Sequence, residues 1–594
     1  MNKRKYRRLQ KPMKVLMTSA ILTTALFTPM AVNSLHVQAE TTQIEAQYEQ
    51  REFDLPATGS YGDEAKRERR SNQKNYMPTG IYVKPNEQVT IEVLGTQKIR
   101  AIIGTHQYDK EWGKEITLSP GSNTISSPNG GLLGLDNYQN TGTVKVKVVQ
   151  GGSPVPFFEL GKHTKEDWIA MMAKYPDAHA VQLKSEKAVL TVTQDSAKKY
   201  IVDQDPVPLL KKYDEMIRTQ DKISGLSETD PNPLHRSTRR IWAFVENPNR
   251  SGWGMYASLD GAVFTTAGNA IESALNVNKF GWGQMHEAGH TREIHPLTWT
   301  DTAGMVDVTT NIYSLAAQKQ LFPDQPTRLE KERDYDRAFA YLKQTDKDYK
   351  NIDDLFVKLV MLWQLNLAYG EDFYPNLHKL YRELPEIQFP KTDEERRQAF
   401  IYNTSKVAKQ NLLPFFDQWG LKASEETREK VETLNYPTLT APIWEATDSK
   451  PVKPLALLSN KIMKATANSE ELAHNHPASH AIDGDPNTIW HSKWRIKNQY
   501  PYSLTIDLGD TRTITQVACL PRQDQAQKGH ILNYNIYTSI DGVNYQKVTS
   551  GTWENSKTQK LATFDPISAK YVKLEVLNGA NGLASAAEVN IFGY

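Results

Sequence analysis

The residues His286-Glu287-Ala288-Gly289-His290 carry the most chemically loaded spacing in the chain. Two histidines four apart lie one above the other on a helix face, so their imidazoles can fill two positions of one tetrahedral Zn²⁺. Glu287 between them can reach a metal-activated water as general base. Glycine weakens a helix unless close packing requires it, so Gly289 argues against two idle surface histidines.

A catalytic zinc needs a third protein ligand and an open position for water. The hard oxygen donors downstream are Glu293, Asp301 and Asp307. Glu293 lies three residues past His290, at the end of the same helix, and is expected to point elsewhere. Asp307 opens an apolar-periodic segment, Val308 to Leu321, that reads as a second helix facing the first across a loop. Asp307 is therefore the favoured third ligand, with Asp301 as runner-up. No oxyanion stabiliser stands out: Tyr313 reads as a core tyrosine and His295 as a surface histidine.

The elements that must position these residues follow from patterning. From about Met77 to Val149 the hydrophobic period is two, as in Val89-Thr90-Ile91-Glu92-Val93, which predicts a β-sandwich accessory domain over 77–160. Over 161–445 the pattern is helical and mixed. Asp353-Asp354 and the box Thr392-Asp393-Glu394-Glu395 mark helix starts there. The Pro- and Lys-containing stretch 446–456 reads as a linker, and short strands with turns return over 457–594.

The 594-residue length calls for several cores. Residues 1–39 hold seven Lys or Arg and no acid, so removing them takes the 71 basic residues to 64 against 69 acids, a net of −5. That balance gives no electrostatic case for a nucleic-acid partner. The basic start, the apolar run Val15 to Val32 and the small-residue site Val37-Gln38-Ala39 predict a cleaved signal peptide over 1–39. The mature chain is then secreted and extracellular, with no integral membrane segment. The polar residues 40–76 read as a solvated linker or pro-segment. The single cysteine, Cys519, sits in an apolar run and reads as a buried strand residue.

Gly281-Trp282-Gly283 before the motif and Val306-Asp307-Val308-Thr309-Thr310-Asn311-Ile312-Tyr313-Ser314-Leu315 after it resemble the enhancin-like metallopeptidases. Leu412 to Gly420 and Thr79-Gly80-Ile81-Tyr82-Val83 resemble further stretches of that family. The resemblance implies a mainly helical or α+β, zincin-like catalytic domain, and proteolysis of heavily O-glycosylated, mucin-like proteins. The family's third ligand is Glu, and position 307 departs from it by one methylene.

Ala481-Ile482-Asp483-Gly484-Asp485-Pro486-Asn487-Thr488-Ile489-Trp490, Pro521-Arg522 and Ala584-Ser585-Ala586-Ala587-Glu588 resemble the discoidin, or factor 5/8 type C, domains, and within them the family 32 carbohydrate-binding modules. That resemblance implies a C-terminal β-sandwich with His491, Trp494 and Arg522 against galactose- or N-acetylgalactosamine-type glycans. It also implies a structural calcium site at Asp483, Asp485, Thr488 and Glu588. The expected whole is a multidomain secreted zinc endopeptidase that holds glycoprotein substrate through its last domain. The alternative is a catalytically decayed, glycan-binding adhesin.

Overall fold

The computed structural model describes residues 49–594, apart from residues 110–112, 251, 253, 260, 267–268, 435 and 594. The expected signal peptide, residues 1–39, lies outside the described residues.

The N-terminal domain is two antiparallel sheets facing each other. One runs Glu52–Pro56, Thr143–Gln150, Val89–Leu94, Gly121–Ile125; the other runs Ile116–Leu118, Ile99–Ile103, Gly131–Asp136, Met77–Val83, Ser153–Pro154. The period-two residues Val89, Ile91, Val93, Val144, Val146 and Val148 all fall in its core.

The linker expectation for residues 40–76 requires correction, because the chain is structured from Glu52 onward. Glu52–Pro56 pairs antiparallel with Thr143–Gln150 and turns Phe53 and Leu55 into the core. Tyr61–Glu68 is a helix whose charged end folds inward: Glu68 is 2% exposed and pairs with Arg70 and Arg67, each at 2.6 Å. Burial raises the Glu68 carboxyl, but the charges of Arg70, Arg67 and Arg292 outweigh it and hold it low. Arg67 donates to the Arg236 carbonyl at 2.5 Å, and the His295 N–H donates to the Arg69 carbonyl at 2.8 Å. A charge run reads as solvated only while its distant partners are unseen.

The central domain has a six-stranded sheet in the order Phe157–Glu159, Val181–Lys184, Ala188–Val192, Trp242–Asn247, Gly261–Thr265, Met255–Ser258. Its last strand is an edge, antiparallel to Gly261–Thr265. Helices cover this sheet and continue as a helical layer. Leu355–Tyr369 is apolar nearly all round and lies deep in that layer, with Leu359, Leu362 and Trp363 buried. Its N-cap Asp354 accepts from the Phe356 and Val357 amides, and Thr392 and Glu395 form the expected capping box on Asp393–Ala408.

The C-terminal domain is all sheet. Strands Tyr502–Leu520 and Lys560–Gly579 pair with register shifts after Asp507 and Ile514, and their shared sheet wraps a core around Trp490, Leu504, Val517 and Ile591. Cys519 belongs to that core, and burial pushes its thiol up to about 12, so it is no nucleophile. Among the described residues no helix is long and apolar enough to cross a membrane.

Replacing Glu68 tests the correction at 40–76. Glu68→Gln leaves the buried Arg70 guanidinium without its carboxylate, a loss of about 3–5 kcal/mol for a broken buried pair. The thermal melt of the full chain should fall markedly. An unchanged melt would return this segment to a solvated spacer.

Candidate active site

The motif forms a nine-residue helix, Trp282–His290, and it packs against the seventeen-residue helix Met305–Leu321. Gly289 sets how closely the two approach. A Cβ there would lie 2.5 Å from Thr310 Oγ1 and 2.8 Å from the Thr310 carbonyl oxygen, so only glycine fits. Thr310 Oγ1 donates to the His286 carbonyl at 2.9 Å across the same contact.

This approach brings the side chains together. Asp307 Oδ1 stands 3.5 Å from His286 Nε2 and 3.5 Å from His290 Nε2. Two ligands of a tetrahedral zinc, with bonds of about 2.0–2.2 Å, are separated by roughly 3.3–3.6 Å. The three donors therefore fit such an ion. They are the one group among the described residues in which three His, Cys, Asp or Glu donors converge within 4.8 Å.

Each imidazole is aimed by its other nitrogen. His286 Nδ1 lies 2.7 Å from Asn311 Oδ1, and His290 Nδ1 lies 2.9 Å from Glu293 Oε2. Thr309 Oγ1 in turn donates to Glu293. Such partners fix the tautomer and free the Nε2 lone pairs for a metal. Hydrogen bonds to His286 and His290 hold the Asp307 carboxyl well below its usual range. Burial pulls the His290 imidazolium down, but Asp307 and Glu293 outweigh it and push His290 up to about 10. A metal ion bound at these donors would take the place of that proton.

Glu287 lies beside the donors and is 8% exposed. Burial, opposed by His286 and His290, raises its carboxyl above the usual range. The Ala257 amide of the sheet's edge strand donates to it. That strand presses on the motif helix, since a Cβ on Gly283 would collide with Met255 Sδ.

The donors open on a cleft of about 660 Å³ lined by Met255, Trp282, Glu287, Arg328, Leu355 and Phe356, among others. Arg328 is its one fixed cation among the described lining residues. Its guanidinium lies 5.0 Å from the Trp282 ring and 4.2 Å from the Phe356 ring, and its Nε is buried without a hydrogen-bond partner. A second groove of about 680 Å³, walled by Lys211, Arg218, Lys222 and Trp363, shares no residue with this cleft.

Asp301 is engaged by Arg397 and Lys350 and takes no part in the cluster. Glu293 is not one of the three converging donors, and its Oε2 holds His290 from the other side of the ring. The Tyr313 hydroxyl is buried at 2.8 Å from His378 Nε2, and His295 Nε2 meets Ser71 Oγ at 3.2 Å, so neither faces the cleft. Sequence reasoning missed the roles of Asn311 and Glu293, although their offsets are readable: Asn311 is four residues after Asp307 and Glu293 three after His290.

In the last domain the His491 and Trp494 rings come to 5.9 Å. Arg522 pairs with Asp524 at 2.7 Å and donates to the Lys528 carbonyl at 3.3 Å. His491 is 1% exposed, with Nδ1 2.6 Å from the Ser492 carbonyl, and the His474 ring stacks on Trp494 at 4.0 Å. The pair is thus brought together, but His491 is buried and Trp494 is partly covered by His474. Around Asp483 the contacts are those of a turn: Thr488 Oγ1 donates to Asp483 at 2.7 Å, and the Gly484 amide donates to Glu588 at 2.8 Å. Asp485 accepts from the Asn487 amide at 2.9 Å. Burial, with the charges of Asp483 and Asp485, pushes the Glu588 carboxyl up to about 7.

A mixed sheet whose edge strand packs on a HExxH helix, with a carboxylate from a second helix, places the central domain in the class of metallopeptidase folds. The chain belongs to the peptidase M60, enhancin and enhancin-like, family, which matches residues 151–420. The N-terminal domain of M60-like peptidases matches residues 43–149, and the F5/8 type C domain matches 464–589. The crystal structure of a functionally unknown conserved protein from Bacillus anthracis str. Ames is 39% identical, covering 77% of this chain and 96% of that one with a TM-score of 0.64. The catalytic module of the metalloprotease ZmpA from Clostridium perfringens shares the fold at 19% identity, covering 88% of this chain and 99% of that one with a TM-score of 0.55. Human TRPM8 channel-associated factor 2 is 24% identical over 392 residues, 61% of this chain; the chain spans about 40% of that relative's length.

Gly289 generates a prediction. Alanine is favoured over glycine in a helix by about 1 kcal/mol, but overpacking against a backbone carbonyl costs about 1–3 kcal/mol, so the clash wins. Gly289→Ala should lower both the melting temperature and zinc affinity. Adding Asp307→Glu, one methylene longer, should recover part of the zinc affinity in isothermal titration. No recovery would mean that helix separation does not govern the third donor.

Proposed function

We propose that the protein is a secreted zinc-dependent endopeptidase that cleaves peptide bonds in O-glycosylated, mucin-like proteins. The observation that carries this reading is the convergence of His286, His290 and Asp307 beside a buried glutamate. Those three residues would hold the zinc, with Asn311 and Glu293 orienting the imidazoles. Zinc, when bound, supplies a Lewis acid that acidifies a water and polarises the scissile carbonyl. Glu287 takes the proton from the attacking water at its carboxylate and passes it to the leaving amine.

The edge strand Met255–Ser258 supports an extended substrate by backbone pairing along the cleft. Arg328, stacked on Trp282 and Phe356, offers a cation to the hydroxyls or acid of a sugar in the cleft. The C-terminal module, through Trp494 and the groups around Arg522, would hold galactose- or N-acetylgalactosamine-type glycans and raise the local concentration of substrate. His474 would have to leave the Trp494 face for a sugar to stack there. The crowded acids Asp483, Asp485 and Glu588 suit a calcium ion, whose charge would relieve the raised Glu588. Export rests on the basic and apolar pattern of residues 1–39. The decayed-adhesin alternative loses ground because the orienting residues, and not only the motif, are in place.

In the test, Glu287→Gln should keep zinc per chain near wild type and lower cleavage of an O-glycoprotein by at least about 100-fold, the scale of a lost general base. Asp307→Ala should lose zinc and activity together, and Asp301→Ala neither. Near-full activity in metal-bound Glu287→Gln would remove the base assignment. Full zinc in Asp307→Ala would remove the ligand assignment.

A further inference from the structure

We infer that Asp448, in the stretch leading to the C-terminal module, is a positioning residue for Arg328 in the cleft; its effect on catalysis rests on the peptidase reading above. Residues 446–456 read as a linker, yet the Asp448 side chain is only 8% exposed. Its Oδ2 accepts from Thr327 Oγ1 at 2.7 Å and from the Tyr335 hydroxyl at 2.8 Å. Its Oδ1 accepts from Trp363 Nε1 at 3.0 Å and from Lys319 Nζ at 3.3 Å. A carboxylate is costly to bury unless it is paired and hydrogen-bonded, and here both oxygens are. The donors come from four places: the end of helix Met305–Leu321, the loop after it, and helices Asp334–Leu342 and Leu355–Tyr369. A free tether has no use for such a socket.

What the socket holds is the turn that carries Arg328. Arg328–Lys331 is a helix of four residues, far below the length that is stable on its own. Thr327 stands at its N-cap, where its side chain caps no amide and its hydroxyl donates to Asp448. On the other side of Arg328, Glu330 Oε1 accepts from the Ser449 amide at 2.7 Å. The Arg328 amide itself donates to Gln318 Oε1 at 2.9 Å. Two consecutive linker residues therefore grip the turn before and after Arg328, and the guanidinium it projects lies in the cleft wall beside the donor cluster. The linker thereby helps to set one wall of the cleft, and is not only a connection to the next domain.

The test uses the full chain, loaded with zinc, and an O-glycosylated peptide substrate. Asp448→Ala should raise KM about 10-fold, as hydrogen bonds to a charged group of this kind allow, with kcat and zinc per chain changed less than about two-fold. Asp448→Asn keeps one acceptor oxygen and should fall between, which guards against a folding failure of the alanine variant. Arg328→Ala combined with Asp448→Ala should be no worse than Arg328→Ala alone, because both act through one guanidinium. Hydrogen exchange by mass spectrometry should show faster amides over 325–332 in both Asp448 variants and unchanged amides over 282–290. Unchanged exchange over 325–332, or additive losses in the double variant, would overturn the inference. A zinc-loaded wild type that cleaves nothing would sink the peptidase reading alone, and the exchange measurement would still decide whether Asp448 orders the turn.

Discussion

The close approach of two helices at Gly289 and Thr310 is the constraint on which the rest of the site depends. At that point there is no room for a side chain on the motif helix. The separation it sets lets an aspartate, rather than a longer glutamate, place one oxygen 3.5 Å from both Nε2 atoms. The same contact puts Asn311 under His286 and Thr309 beside Glu293, so the residues that orient the imidazoles arrive with the ligand. At this separation the short aspartate side chain spans the gap to both imidazoles. Aspartate at position 307 therefore does not by itself point to loss of the site.

The chain holds that contact from two sides. On one, the edge strand Met255–Ser258 lies against Gly283 and reaches Glu287 through the Ala257 amide. On the other, helix Leu355–Tyr369 fills the core beneath and sends Leu355 and Phe356 into the cleft wall. The N-terminal segment contributes further along: Glu68 and Arg70 are buried close to Arg292, two residues beyond His290, and Arg292 pairs with Asp221 at 3.0 Å and stacks 3.8 Å over Trp242. Buried charge of this kind is tolerable only when each member is paired, and so it ties the end of the motif helix to elements remote in sequence.

What the sequence made legible was mostly local. The four-residue spacing of His286 and His290, the apolar period after Asp307, the acids at Asp354 and the box at Thr392 are properties of single helices, where neighbours in sequence are neighbours in space. Alternation likewise disclosed the strands of the N-terminal sandwich. The misreadings share an opposite cause. Residues 61–70 looked solvated because the groups they fold against, the Arg236 carbonyl and Arg292 among them, are more than a hundred residues away, and the linker around Asp448 looked free because its partners begin at Lys319. Arg328 and Met255 carry no motif and became visible as cleft residues only when the fold brought them beside His286. His491 matched a sugar-contacting position by type, but its burial is set by the surrounding loops and not by its neighbours in sequence.

On the proposed reading, His286, His290 and Asp307 form one zinc site with an open position. Zinc K-edge X-ray absorption on the full chain loaded with one equivalent of zinc tests it most directly. The expected spectrum is four-coordinate, with two imidazole nitrogens at about 2.0–2.1 Å and two oxygens at about 2.0–2.2 Å, one from a carboxylate and one from water. Asp307→Ala should remove the carboxylate oxygen from that shell. A shell with no imidazole scattering, or one that Asp307→Ala leaves unaltered, would contradict the claim.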